Sequence, residues 1–102
     1  MRVLKFHVRG TKVEKDSNCD FDNIVRGSNN WLQLEFDFDK ECNRTSRVIS
    51  LKNLDGEEKN IILQNKVVLP EEVTKGSIFS FVLYGKDGDK KIQTNRMIIN
   101  QT

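Results

Sequence analysis

The chain has 102 residues, a length that suits one domain with a single small hydrophobic core. Charged residues make up 31% of it, yet the formal net charge is only +2 and the two signs are interspersed. A protein dedicated to nucleic acid usually concentrates more positive charge on one face, so the composition argues against that partner. Six Phe, one Trp and many aliphatic residues supply core material, which argues against a disordered chain.

The first predicted element is a strand over residues 4–8, where apolar and polar residues alternate. This N-terminal segment lacks the continuous apolar core of a signal peptide, and no stretch approaches the roughly 20 apolar residues of a membrane span. We therefore expect a protein made in a reducing cytoplasm, without a membrane partner. Cys19 and Cys42 both lie among polar residues, and in that compartment we expect two free thiols, with a disulfide between them as the alternative.

The most regular strand pattern lies at residues 31–38, "WLQLEFDF". Its alternation places four apolar side chains on one face, which we expect to be buried: Leu32, Leu34, Phe36 and Phe38. Trp31 begins the strand on the opposite face. There it either packs against a neighbouring loop or edge of the core, or anchors a protein or sugar contact.

Further strands are predicted at residues 47–53 and 60–69, with a turn at Asp55-Gly56 between them. One short helical turn is expected near residues 70–75, with Pro70 at its first position and Gly76 ending it. Residues 77–84, "SIFSFVLY", are apolar on both faces, which is typical of a central strand covered on both sides. We expect Phe79, Phe81 and Leu83 to be among the most buried residues.

A glycine-and-aspartate turn and a closing strand at residues 92–100 complete the chain. About seven or eight short strands in a chain of this length indicate an all-β fold, an antiparallel β-sandwich over residues 1–102, with a small barrel as the alternative. Tyr84 ends the strand before this turn, where a tyrosine hydroxyl more often bonds nearby backbone than a ligand.

The reactive residue types form no catalytic or metal-binding pattern in the sequence. His7 has no neighbouring nucleophile, and one His with two distant Cys makes no convincing zinc site, so we expect it to be solvated or locally hydrogen-bonded. Two carboxylate pairs, Asp37 with Asp39 and Asp87 with Asp89, are weak calcium candidates that ordinary turn chemistry explains better. We therefore expect neither catalysis nor a cofactor.

Three segments of the chain resemble small immunoglobulin-like domains of tailed bacteriophages of Gram-positive hosts: "IVRGSNNWLQLEFDFD", "VVLPEEV" and "KGSIFSFVLYGKDGDKKIQTNRMIINQ". The shared features are a glycine-polar turn before a long strand, a "P-x-x-V" corner and a closing hairpin of the form "Y-G-x(n)-G-x(n)-I-x-T-N". They fall on Gly27, Pro70, Val73, Tyr84, Gly85, Gly88, Ile92, Thr94 and Asn95. The resemblance implies an immunoglobulin-like sandwich and a place in the virion.

The expected function is that of a non-enzymatic phage structural protein that attaches to other virion proteins in the tail or baseplate or as a head decoration. A free phage-encoded inhibitor of a host enzyme or defence protein is one alternative, and a module that binds cell-wall glycan through Trp31 is another. For strand addition or sheet packing, the closing strand is the expected contact surface and is less protected by charge: its side chains at positions 93, 95, 97 and 99 share one face, and only Arg96 points opposite. The residues expected to meet a partner are Trp31, Gln93, Asn95, Met97 and Ile99.

Overall fold

The structure is a computed structural model that describes residues 1–40 and 46–102; Cys42 lies outside these ranges. The described chain forms nine strands and one short helix. In chain order they are β1 (Arg2–Arg9), β2 (Lys12–Lys15), β3 (Leu32–Phe38), β4 (Ser46–Asn53), β5 (Glu58–Leu63), β6 (Lys66–Val68), α1 (Glu71–Thr74), β7 (Ile78–Asp87), β8 (Lys90–Gln93) and β9 (Met97–Asn100). No helix among them is long and apolar enough to cross a membrane.

The strands form two sheets that pack face to face. One sheet has the order β2-β1-β3-β6, and the other has the order β5-β4-β7-β8, with β9 also paired to β7. This arrangement confirms the predicted all-β sandwich. The described strands exceed the expected seven or eight for three reasons. The N-terminal segment folds back as the β1–β2 hairpin, and the closing strand is divided into β8 and β9. The prediction of one strand over residues 60–69 was wrong, because this segment is divided into β5 and β6, which lie in different sheets.

One strand pair departs from the expected antiparallel arrangement. β1 and β3 run parallel, with Leu4 opposite Leu34 and Phe6 opposite Phe36. Residues 16–31 form a long connection that returns the chain to the starting end of β1 before β3 begins. Parallel neighbours need a crossover of about a dozen residues or more, and this connection supplies it.

The core lies between the sheets, and aromatic side chains from both sheets meet there. Phe6 and Phe36 from the first sheet each contact Phe81 edge to face, with ring centroids 5.1 and 5.4 Å apart. Phe79, Phe81 and Leu83 are all buried, as expected. The inner face of β3 is confirmed as well, since Leu32, Leu34 and Phe36 are buried and Phe38 packs against the core.

The helix falls inside the predicted segment, but Pro70 has a different position from the one expected. It is the N-cap, with extended backbone (ψ 163°), and the helix begins at Glu71. The last helical residue is held from two sides: the Thr74 hydroxyl donates to the Ser28 carbonyl at 2.6 Å, and the side-chain Nε2 of Gln101 donates to the Thr74 carbonyl at 3.1 Å. This single turn therefore packs onto the sandwich instead of standing free.

A one-residue bulge divides the closing strand. Tyr84 pairs with Gln93 in one register and Phe81 pairs with Met97 in the other, so two residues of β7 face three, residues 94–96, on the closing strand. The Thr94 hydroxyl accepts a hydrogen bond from the Leu83 amide at 3.0 Å within the bulge. Side chains alternate between faces with a period of two, so one extra residue reverses which face each later side chain occupies.

Candidate functional site

The bulge changes the contact surface expected on the closing strand. Gln93 lies on the outer face beside Tyr84, whereas Met97 pairs with the inward-facing Phe81 and packs against the core. Ile99 is only 1% exposed. The prediction that Gln93, Met97 and Ile99 share one face was wrong, because the extra residue of the bulge reverses the side-chain alternation after Gln93.

Asn95 is exposed, and its side chain makes a structural contact with a neighbouring strand. Its side-chain oxygen accepts a hydrogen bond from the Val13 amide at 2.7 Å, and its amide nitrogen donates to the Val13 carbonyl at 3.3 Å. The Asn95 backbone amide also donates to the Thr11 carbonyl at 3.1 Å. Asn95 therefore fastens the closing strand of one sheet to the β1–β2 hairpin of the other. Of the four closing-strand candidates, Gln93 and Asn95 are exposed, and Gln93 is the one that lies beside Tyr84 on the outer face.

An open groove of about 880 Å³ lies at the end of the five-stranded sheet that includes Gln93. The strand registers place Ile62, Val48, Tyr84 and Gln93 side by side across β5, β4, β7 and β8. The two largest apolar side chains of this row are exposed, Ile62 by 84% and Tyr84 by 41%. Exposed apolar side chains grouped on one outer face are characteristic of sites that contact another molecule.

A basic row lies beside the apolar row on the same face. Lys86 and Lys91 are direct cross-strand partners, both exposed, and both line the groove. Asp87 pairs with Lys90, so the next pair along the hairpin falls on the other face. No Asp or Glu lines the groove among the described residues. We call the surface formed by Val48, Ile62, Tyr84, Lys86, Lys91 and Gln93 the Tyr84 groove.

Arg47, the neighbour of Val48 on β4, is held by two contacts. The Arg47 guanidinium stacks over the Phe38 ring at 3.9 Å from its centroid, and its Nε donates to the Gln64 carbonyl at 3.2 Å. The Tyr84 hydroxyl, by contrast, has no hydrogen bond to any described part of the chain. The expectation that it bonds nearby backbone was wrong. The sequence does carry a signal for this site, since a tyrosine at a hairpin end is flanked by lysines on both strands.

Trp31 lies just before β3 on the outer face of the four-stranded sheet, and its side chain is 56% exposed. Its carbonyl accepts a hydrogen bond from the Arg2 amide at 3.0 Å, which fixes the backbone there. Trp31 and Gln93 therefore lie on opposite sides of the sandwich. The structure does not bring the two together into one site.

His7 is hydrogen-bonded locally, as its position on the polar face of β1 indicates. Its ring nitrogens lie 2.8 Å from an Asp16 oxygen and 3.3 Å from an Asp37 oxygen. A hydrogen bond from the Asn18 backbone amide, followed by the one from His7, lowers the pKa of Asp16 below its ordinary value. Over residues 1–40 and 46–102, His, Cys, Asp and Glu side chains form no group of three suited to a metal ion.

The remaining carboxylate candidates lie in turns or at strand ends. Asp39 accepts a hydrogen bond from the Gly10 amide at 2.9 Å, and the Asp87–Lys90 hairpin turns at Gly88, whose φ is +58°. A positive φ at the first central position is the one that glycine supplies in a two-residue hairpin turn. Among the described surfaces, the Tyr84 groove combines exposed aromatic, apolar and charged side chains in one place. Comparisons of the chain with protein-family models, curated proteins and solved structures found no match.

Proposed function

We propose that this chain is a non-enzymatic binding module that attaches to another protein through the Tyr84 groove. The observation that carries the proposal is the exposed row of Ile62 and Tyr84, which lies directly beside the Lys86–Lys91 pair. Exposed apolar surface rimmed by polar groups is characteristic of protein interaction sites. Tyrosine is also among the residue types that contribute most to interface affinity.

The position of Tyr84 in the fold favours this role. β7 is the longest of the described strands and pairs with β4 on one side and with β8 and β9 on the other. Its inner side chains Phe79, Phe81 and Leu83 are buried, so the backbone that carries Tyr84 is held by the core. A contact residue held on a rigid strand loses little conformational entropy on binding.

We further infer that the attachment takes place in a bacteriophage virion, in the tail or baseplate or as a head decoration. This part of the proposal is supported by the resemblance to immunoglobulin-like domains of tailed phages of Gram-positive hosts. Two glycines on which that resemblance depends, Gly27 and Gly88, have φ values of +84° and +58°. Such values suit turn positions that favour glycine.

Quantitative mass spectrometry of gradient-purified virions tests this proposal. We expect the chain in a fixed stoichiometry to the major tail or capsid protein, retained through repeated gradients. A Tyr84→Ala, Ile62→Ser double variant should be produced at a normal level but depleted from particles. A chain found only in the soluble lysate, in complex with a host protein, would instead identify it as an inhibitor.

Trp31 supports a second candidate, a contact with cell-wall glycan, because an exposed aromatic ring can stack on a sugar. Trp31 is the single tryptophan of the chain, so intrinsic tryptophan fluorescence reports on this surface alone. Titration with purified cell-wall polysaccharide should change the emission of the wild-type protein and of the Tyr84→Ala variant equally. An unchanged spectrum at saturating polysaccharide excludes Trp31 as the glycan contact.

A further inference from the structure

We propose that the partner segment received by the Tyr84 groove is an acidic, extended polypeptide stretch with at least one large apolar side chain. This inference rests on the proposed function and names the chemistry of the partner. It is carried by the charge of the groove and by the direction in which its rows run.

The charge of the groove calls for an anionic partner. Lys86 and Lys91 are opposite each other on neighbouring strands, and like charges in that position destabilise a hairpin. Neither lysine forms an ion pair with a described residue. A carboxylate placed between the two ammonium groups would convert this repulsion into two attractive contacts.

The charged side chains of the β7–β8 hairpin differ between its two faces. Lys86 and Lys91 lie together on the groove side, while Asp87 is paired with Lys90 away from it. The chain as a whole carries a formal net charge of only +2, so the groove is more basic than the molecule around it. Complementary charge of this kind steers an acidic partner and disfavours a basic one.

The apolar row sets the second requirement. Ile62, Val48 and Tyr84 lie on three neighbouring strands, so the row runs across the strands and not along one of them. Four strands at about 4.8 Å spacing span about 15 Å, which an extended segment covers with about four or five residues. Such a segment places an apolar side chain against Ile62 and Tyr84 and its carboxylates beside the lysines.

Selection from a random twelve-residue peptide library on the immobilised protein tests the inference without knowledge of the natural partner. We expect enrichment of peptides that combine several Asp or Glu with an aromatic or large aliphatic residue. The best peptide, with a fluorescent label, should then bind the wild-type protein with an affinity that falls as salt is raised. Its amide counterpart, with Asn and Gln for Asp and Glu, should bind at least about tenfold more weakly.

Three charge variants locate the site. Lys86→Glu with Lys91→Glu should reduce binding of the selected peptide at least about tenfold. Lys91→Glu alone should raise thermal stability, because it replaces a repulsive pair with an attractive one, and should still weaken binding. Lys90→Glu is the control, with the same charge change in the same hairpin away from the groove. It places Glu opposite Asp87, so a thermal melt first establishes that the variant is folded. The folded variant should bind like the wild type.

Each contrary outcome identifies what fails. The acidic-segment inference is overturned if the enriched peptides lack acidic residues. It is also overturned if the Lys90→Glu and Lys91→Glu variants lose equal affinity for the selected peptide. In both cases the proposed function as a binding module stands. If Trp31→Ala abolishes binding of the selected peptide and the lysine variants still bind it, the site lies on the four-stranded sheet. No enrichment at all counts against both the inference and the proposed function. If heparin or a single-stranded oligonucleotide binds as tightly as the selected peptide, the groove is a general polyanion site and the inference fails. If the sedimentation coefficient of the protein rises with its concentration, a second copy of the chain occupies the groove, and the inference fails as well.

Discussion

Phe81 lies where the two sheets meet, and its side chain is fully buried. Its ring contacts Phe6 and Phe36 edge to face, so it joins the central strand of one sheet to β1 and β3 of the other. A ring in this position contributes both apolar burial and specific aromatic contacts. The stability of the sandwich should therefore depend strongly on this one side chain.

We expect Phe81→Ala to lower the free energy of unfolding by about 3–5 kcal/mol, because truncation leaves a cavity between the sheets. Urea unfolding followed by circular dichroism measures the change. Ile62→Ala is the control, since Ile62 is 84% exposed and its truncation should cost no more than about 0.5 kcal/mol. A cost for Phe81→Ala below about 1 kcal/mol would mean that β7 is not the central strand of the core.

Asp16 is a second single residue on which stability depends, and its contribution to the free energy of unfolding changes with pH. Its pKa in the folded state is lowered, first by the Asn18 amide and then by His7, so its charged form stabilises the fold. This contribution is complete above the unfolded pKa of about 3.9 and is lost as the pH falls through the lower folded pKa. The wild type should therefore exceed Asp16→Asn in stability at pH 6, and the difference should shrink as the pH falls below the unfolded pKa.

Urea unfolding of both proteins between pH 6 and pH 2 measures that difference. Hydrogen bonds donated by Lys12 and Lys75 also lower the pKa of Glu14 and Glu57, so only the comparison with Asp16→Asn isolates the Asp16 contribution. Asp22→Asn controls for the loss of one negative charge. A wild-type advantage that stays constant over the whole range would contradict the assigned hydrogen bonds.

At the scale of single elements, the bulge at residues 94–96 decides what the closing strand does. Met97 and Ile99 lie on the core side of the strand, whereas Gln93, before the bulge, lies on the outer face. The Arg96 guanidinium donates a hydrogen bond to the Ser80 hydroxyl at 2.9 Å on the outer face. The bulge also places Asn95 against Val13. Because of this one extra residue, the closing strand packs on the core and is hydrogen-bonded to the other sheet through Asn95.

We expect Asn95→Ala to lower the free energy of unfolding by about 1–2 kcal/mol, since it removes two hydrogen bonds to the Val13 backbone. Hydrogen exchange provides the local measurement, because the Val13 amide should lose protection more than the core amides of β7. Asn100→Ala, at an exposed position of β9, is the control. Unchanged protection at Val13 would show that the side chain does not connect the two sheets.

The sequence predicts those elements in which local pattern and burial agree. The alternation of Leu32, Leu34 and Phe36 predicts β3 because one face of that strand packs on the core and the other does not. The parallel pairing of β1 with β3 depends on the path of residues 16–31, which no periodicity records. The bulge was missed for a related reason: the side-chain alternation of a strand changes at Thr94, and the sequence alone does not mark the extra residue.

At the scale of the whole molecule, the sandwich presents two outer faces with different chemistry. The face of the four-stranded sheet carries Trp31 and the hydrogen-bonded His7, and the face of the five-stranded sheet carries the Tyr84 groove. A charge at Met97 cannot show which of the two outer faces binds a partner, because Met97 packs against the core. We expect Met97→Asp to destabilise the fold, as a lowered thermal midpoint, instead of blocking a contact selectively.

The most direct test of the binding account is a nuclear magnetic resonance titration of the isotope-labelled protein with the peptide selected from the library. The account predicts chemical-shift changes that are largest at the backbone amides of Val48, Ile62, Tyr84, Lys86 and Lys91, with the four-stranded sheet unaffected. Changes centred on Trp31, or spread along β9 around Met97 and Ile99, would contradict it and would place the binding surface elsewhere on the sandwich.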